Sequence, residues 1–330
     1  MTNFKAYRIF ETEEGRFERK IVERKTSELP EGEILIKVAY AGLNFKDALS
    51  SSGHKGITKQ FPHTPGVDAS GVVAESNSAK FKAGDEVLVT GYDLGMNTDG
   101  GFGEYIRVPE GWVVPLPATF DLRSAMILGT AGFTAALALY KMEMAGQSPE
   151  MGELVVTGAT GGVGSMAVSI FSKAGYDVIA SSGKTEAYDY LKKLGATRCE
   201  GREFCNDEKK RPVTSTKWAG GLDTVGGNTL TTLMAGCGKN GSIGVCGLVG
   251  SPKLEATVYP FLLNGVNLIG VESAETKMET RLELWNKLSS IWKPENLEDI
   301  TTDISLQELD TYILKILDGK TKGRVVVKHG

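Results

Sequence analysis

The densest chemical signal in the chain is the segment Leu154-Val-Val-Thr-Gly-Ala-Thr-Gly-Gly-Val-Gly164. An apolar strand precedes its glycines. An amphipathic helix follows, with Val163, Met166, Ala167, Ile170 and Phe171 at helical spacing. This is the context in which a glycine-rich turn binds a dinucleotide. Gly161 and Gly162 let backbone approach a pyrophosphate, and Gly164 lets the helix pack tightly on the strand. Free amides at the helix start attract the phosphates. In the strict G-x-G-x-x-G register the first position is Ala159, a departure, and Gly158 just before it can supply the tight turn.

The next strand, Val178-Ile-Ala180, decides between two cofactors. An NAD site places Asp or Glu about 20 residues beyond the glycines to bond the ribose 2′-hydroxyl. Here the tip reads Ser181-Ser-Gly-Lys184, without an acid, and the nearest one, Glu186, is expected inside the following helix. Small hydroxyls and a lysine suit a 2′-phosphate, and Arg202, after the next strand, can complete the pocket. The expected cofactor is therefore NADPH. No metal is expected. His54, His63 and His329 form no i, i+3 or i, i+4 pair, and Cys199, Cys205, Cys237 and Cys246 show no C-x-x-C spacing.

The elements that must position this site fall into two patterns. Up to about residue 120, short β-type runs such as 33–39, 67–74, 86–90 and 102–108 alternate with Gly/Pro turns, as in a compact β-rich domain. From Asp121, helix-length segments alternate with apolar runs at 154–157, 178–180, 222–225, 242–246 and 268–271, which argues a parallel sheet with helices on both faces. A helix is expected over 186–194, and the run 323–328 is β-like again and can return to the first domain. The chain of 330 residues carries a net charge of −4, which gives no footprint for nucleic acid. Its most apolar stretch, Ala125 to Leu139, is interrupted by Gly129, Thr130, Gly132 and Thr134 and reads as a buried helix too short for a bilayer. The start has no signal-peptide core, so a cytoplasmic protein with reduced thiols is expected.

Taken together, several segments resemble the medium-chain dehydrogenase/reductase superfamily, and more narrowly the YhdH/YhfP group of zinc-free quinone oxidoreductases, which includes acryloyl-CoA reductases. They are 43–48 (Leu-Asn-Phe-Lys-Asp-Ala), 65–68 (Pro-Gly-Val-Asp), 84–87, 129–135, 156–164, 223–226, 257–261 and Gly323-Arg324. The resemblance implies an α/β protein: a GroES-like β-rich catalytic domain over 1–122, completed by about 275–330, and a Rossmann NADP-binding domain, a doubly wound parallel sheet, over 123–274. It also implies that Thr160, Gly161, Gly162 and Val163 face the pyrophosphate. Ser182, Gly183, Lys184 and Arg202 would hold the adenosine phosphate, and Leu248, Leu262 and Ser273 would line the nicotinamide side. Zinc-dependent relatives place Cys and His where this chain reads Ala41-Gly-Leu-Asn44 and Gly66-Val-Asp68. Two departures matter. Phe45 replaces a tyrosine, which removes a hydroxyl, and Lys184 stands where arginine is frequent.

The chemistry implied is hydride addition from the nicotinamide to the β-carbon of a small-molecule enone, quinone or enoyl thioester. The enolate oxygen that forms needs donors. Asn44 is the expected donor and Asp68 its orienter or a relay member, with the alternatives that Asn44 holds a turn and Asp68 caps a loop. Water can protonate the α-carbon. Lys55, Lys59, Lys80 and Lys82 are either phosphate contacts for a CoA ester or ordinary solvated charges. A non-enzymatic NADPH-binding redox sensor is the competing class. By analogy with relatives, a homodimer through the late strand 268–271 is expected.

Overall fold

The structure, a computed structural model, describes residues 2–330. Strands β1 (Asn3–Glu11) and β2 (Phe17–Lys25) form an antiparallel ribbon. Then come β3 (Ile34–Leu43), helix α1 (Phe45–Ser51), β4 (Asp68–Ser76), β5 (Glu86–Thr90), β6 (Tyr105–Val108) and β7 (Val114–Pro115). Helix α2 (Leu122–Met144) leads to β8 (Leu154–Thr157), α3 (Gly162–Lys173), β9 (Val178–Ser181), β10 (Arg198–Glu200), β11 (Gly220–Asp223), β12 (Ser242–Val245) and β13 (Asn267–Gly270). The chain ends on β14 (Thr301–Ser305) and β15 (Arg324–Lys328). Two compact units result. One takes residues up to Thr130 with 274–289 and 300–330; the other takes 131–273 with 290–299.

In the first unit a seven-stranded sheet runs β14-β15-β3-β4-β5-β7, with β6 also paired to β3. Alternate residues of β3, β5 and β6, namely Ile34, Ile36, Val38, Val87, Val89, Ile106 and Val108, share one core. The late strand does return: β15 lies antiparallel to β3 with Val325 opposite Leu43. In the second unit six parallel strands run β10-β9-β8-β11-β12-β13. Leu154, Val155 and Val156 of β8 are wholly buried, as a strand covered on both faces requires. Helix α3 lays Met166, Ala167, Ile170 and Phe171 on the sheet and ends at Gly175, whose φ of 93° only glycine adopts freely. The strand order reverses between β8 and β11, and ligands of such sheets bind beyond the carboxyl ends of strands at that point.

Some boundaries move. The helix expected over 186–194 is a 3₁₀ turn at Thr185–Ala187 followed by a helix over Tyr188–Lys193, so Glu186 sits exposed in the turn. Strand β11 stops at Asp223, because the Asp223 carboxylate accepts the N–H groups of Val225 and Gly226 and turns the chain there. The apolar stretch read as Ala125 to Leu139 belongs to a 23-residue helix, long and apolar enough to cross a membrane by length and composition. That helix is broken at Gly129 (φ 47°, ψ −152°), and 78% of its most apolar window is buried inside the protein.

Candidate functional site

The glycine loop of the second unit is built as a backbone cradle. After β8 the chain turns at Gly158 (φ 58°), whose carbonyl accepts the N–H of Gly161 at 2.9 Å. Helix α3 then starts at Gly162, and its first amides have no partner within the helix. A Cβ on Gly164 would lie 2.2 Å from the Gly158 oxygen, so the helix start touches the strand end as only glycine permits. Gly161, Gly162 and Val163 are half-buried, leaving these amides within reach of an anion.

Beside the loop stand the residues at the tip of β9. Thr160 and Ser182 are buried with their hydroxyls 3.3 Å apart, and the Ser182 hydroxyl accepts the N–H of Lys184 at 3.1 Å. Arg202 lies across Gly183: a Cβ there would fall 2.4 Å from Arg202 Nε. Arg202 is exposed and has no carboxylate partner among the described residues, whereas Arg198 is paired with Glu153 and Glu200. The structure thus brings Thr160, Ser182, Gly183, Lys184 and Arg202 together. Such a group can hold an anion. Leu248, Leu262 and Ser273 sit on other elements. Leu248, after β12, is 60% exposed, Leu262 is 74% exposed, and the Ser273 hydroxyl accepts that of Thr134 at 2.8 Å.

In the first unit, Asn44 and Asp68 meet at one end of the large sheet. Asp68 opens β4 and is wholly buried. Its carboxylate accepts Asn44 Nδ2 at 2.8 Å, the Thr130 N–H at 2.9 Å, the Thr130 hydroxyl at 2.6 Å and Arg324 Nη2 at 3.3 Å. Asn44 is half-buried just before α1. Its Oδ1 accepts Arg324 Nη1 at 2.9 Å, and its Nδ2 also points at the Gly42 carbonyl, 3.3 Å away. Asp47 closes the group from below: its carboxylate accepts the N–H groups of Asn44 (2.7 Å), Val67 (2.9 Å) and Gly66 (3.2 Å). Burial, and then the Asp68 charge, push the Asp47 carboxyl up to about 7, while burial holds the Arg324 guanidinium below its ordinary value.

Sequence reasoning gave no role to Asp47, Thr130 or Arg324. The spacing Asn44-x-x-Asp47 is that of a helix-start box and could have flagged Asp47. Arg324 lies 280 residues from Asn44, and no local pattern links them. Phe45 opens α1 and is 37% exposed. Lys55 is engaged with Glu11 and with the faces of Phe17 and Phe61, and Lys80 with Glu110. Among the described residues no three His, Cys, Asp or Glu side chains gather into a metal site. His63 and His329 are buried against the carbonyls of Gly95 and Gly101, and burial pushes the thiols of Cys205, Cys237 and Cys246 up to about 12.

Residues 30–118 match the alcohol dehydrogenase GroES-like domain family, and residues 162–288 match the family described as zinc-binding dehydrogenase. The chain is 46% identical over 304 residues to the quinone oxidoreductase-like YhfP of Bacillus subtilis, covering 92% of each. A crystal structure of that protein with NAD bound superposes with a TM-score of 0.97, at 43% identity over the whole of both chains. The acrylyl-CoA reductase AcuI of Ruegeria pomeroyi is 39% identical over 315 residues, 96% of each chain. The YhdH oxidoreductase of Salmonella enterica in complex with NADP has a TM-score of 0.95 at 40% identity, covering 99% of this chain and all of that one. With a GroES-like unit, a Rossmann unit and relatives matched along nearly its full length, the chain belongs to the medium-chain dehydrogenase/reductase superfamily, in its quinone oxidoreductase and acrylyl-CoA reductase group of oxidoreductases.

Proposed function

We propose that the chain is an NADPH-dependent reductase that delivers hydride, without a metal, to a conjugated double bond or a quinone. The observation that carries the cofactor choice is the group of Thr160, Ser182, Lys184 and Arg202 beside the glycine loop, with no acid at the tip of β9 and Glu186 exposed in the turn that follows. A 2′-phosphate is a dianion, and two cations with a hydroxyl satisfy it; a neutral 2′-hydroxyl calls for a carboxylate instead. Both kinds of cofactor occur among the relatives, NAD with YhfP and NADP with YhdH, so the β9 tip of this chain is what argues for NADPH.

The nicotinamide, when bound, supplies the hydride. The chain's residues do the rest. The first amides of α3 hold the diphosphate, and Lys184 and Arg202 hold the 2′-phosphate. Asn44 donates an N–H to the substrate oxygen as negative charge gathers on it. Asp68 acts as an orienter, because its carboxylate accepts from Asn44, Thr130 and Arg324 and so fixes the Asn44 amide. The α-carbon takes its proton from water.

The test is turnover with 4-deuterated NADPH on an enone, a quinone and acryloyl-CoA. Deuterium at the β-carbon of a conjugated acceptor, with the α-hydrogen drawn from solvent, is expected. Label at a carbonyl carbon makes the protein a carbonyl reductase, and no turnover on any of the three removes the reductase reading.

A further inference from the structure

The donor properties of Asn44 depend on a side chain from the far end of the chain. Arg324 is 2% exposed and opens β15. Its guanidinium donates to Leu43 O (3.2 Å), Asn44 Oδ1 (2.9 Å), Asp68 Oδ2 (3.3 Å) and Ile127 O (2.9 Å). One planar group therefore joins the end of β3, the start of α1, the start of β4 and the break in α2. A guanidinium only donates and a carboxylate only accepts. Between them the Asn44 amide has one orientation, with Oδ1 toward Arg324 and Nδ2 toward Asp68. A flipped amide would set its NH₂ against a cation and its oxygen against an anion.

This lock also fixes where the second Nδ2 hydrogen goes. The first is taken by Asp68 at 2.8 Å. The second has only the long 3.3 Å contact to Gly42 O, so it is the hydrogen that can be given to another acceptor at least cost. A charged donor on an amide oxygen draws electron density from the nitrogen and strengthens its remaining N–H as a donor. We propose that Arg324 is a positioning residue for the reduction: it holds and polarises the Asn44 amide so that its second Nδ2 hydrogen is presented to the substrate oxygen. The proposal rests on the reductase reading given above and assigns Arg324 no contact with substrate or cofactor.

The test is a double-mutant cycle with a spectroscopic arm. Arg324→Met should lower kcat about tenfold, less than loss of a direct oxyanion donor, which costs on the order of a hundredfold or more. The Kd for NADPH, read by nicotinamide fluorescence, should not change. In an Asn44→Ala background the same substitution should lower kcat by less than twofold, since its effect passes through Asn44. An equal fold-loss in both backgrounds, or a matching loss of NADPH affinity, overturns the proposal in favour of a purely structural arginine. Should Arg324→Met fail to fold, Arg324→Lys keeps the charge without the planar fork and serves in its place. In ¹⁵N-labelled protein the Asn44 side-chain amide peak, assigned by its loss in Asn44→Ala, should move further in Arg324→Lys than any other asparagine side-chain peak. An unmoved peak refutes the positioning whatever the substrate is. If Asn44→Ala leaves kcat unchanged while that peak moves, the donor role of Asn44 in the reductase reading fails, and the catalytic part of the proposal fails with it.

Discussion

Two glycines of the same loop should fail in different ways when each is given one methyl group. At Gly164 a Cβ would meet Gly158 O at 2.2 Å and Ala159 Cα at 2.8 Å, where ordinary contact begins at 3.4 Å. Both neighbours are backbone, so α3 itself must retreat from β8, by about 1 Å, a displacement large enough to disturb a bound ligand. Overpacking of this kind costs about 1–3 kcal/mol of stability. Moving the helix start also takes its amides off the diphosphate, and each hydrogen bond to a charged group is worth about 1.5–3 kcal/mol. Loss of one such bond corresponds to a rise of about 10- to 100-fold in the NADPH Kd. Gly161→Ala differs. Its nearest neighbour lies at 3.3 Å and its backbone, φ −75° and ψ 174°, suits any residue, so stability should stay within about 0.5 kcal/mol of the parent. Its affinity should still fall, because the methyl stands where backbone must approach the phosphates. Urea unfolding and fluorescence titration with NADPH measure the two quantities separately. If Gly164→Ala binds NADPH within threefold of the parent, or if both variants lose stability alike, the assignment of one glycine to packing and the other to the ligand is wrong.

Replacing Lys184 and Arg202 together with Ala should raise the KM for NADPH at least about tenfold with little change for NADH, given the worth of hydrogen bonds to charged groups. A parent enzyme equally active with both cofactors would refute the 2′-phosphate reading. Activity should survive exhaustive chelation, and one stoichiometric zinc per chain found by elemental analysis would contradict the metal-free proposal. His63 and His329 are held below the ordinary histidine value chiefly by burial. A depressed folded pKa gives a contribution that is complete above the unfolded value, about 6.5, and is lost as the pH falls below it. The melting temperature should therefore drop below about pH 6.5. A His63→Gln/His329→Gln variant should show a shallower acid decline, and an unchanged decline would exclude these two groups as its source. The edge position of β13 and the exposed apolar residues Val249, Val258 and Leu263 argue for a second copy of the chain against the second unit. A monomeric mass by light scattering at micromolar concentration counts against it.

What was legible in the sequence was local. The run 154–164 announced its strand, turn and helix because each depends on near neighbours, and even the substitute turn glycine, Gly158, sits where expected. The β9 tip was legible for the same reason: a missing acid is visible in a few residues. The surroundings of Asn44 were not. Its partners come from β4, from the break in α2 and from β15, and no periodicity joins residues 24 and 280 positions apart. The interruption at Gly129-Thr130 was visible as a blemish in an apolar stretch, yet its cause was not. Asp68 occupies the space a side chain at 129 would need, 2.3 Å from its Cβ, and binds the Thr130 N–H. The partners of Lys55 and Lys80 likewise lie on other elements, out of reach of any local pattern.

The place of β15 inside its sheet, between β14 and β3, bears on how the chain can be made. The first unit is encoded first but completed last. Until residues 324–328 have left the ribosome, the far half of β3, from Tyr40 to Leu43, lacks β15 along one edge, and Asp68 lacks its cation. The second unit needs nothing beyond residue 299. Vectorial synthesis, which ordinarily favours the N-terminal domain, here lets the later-encoded parallel sheet close first and keeps the opening β-strands waiting for the last ones. A nascent chain stalled before Gly323 should accordingly protect β8 to β13 from protease while β3 and β4 remain open to it.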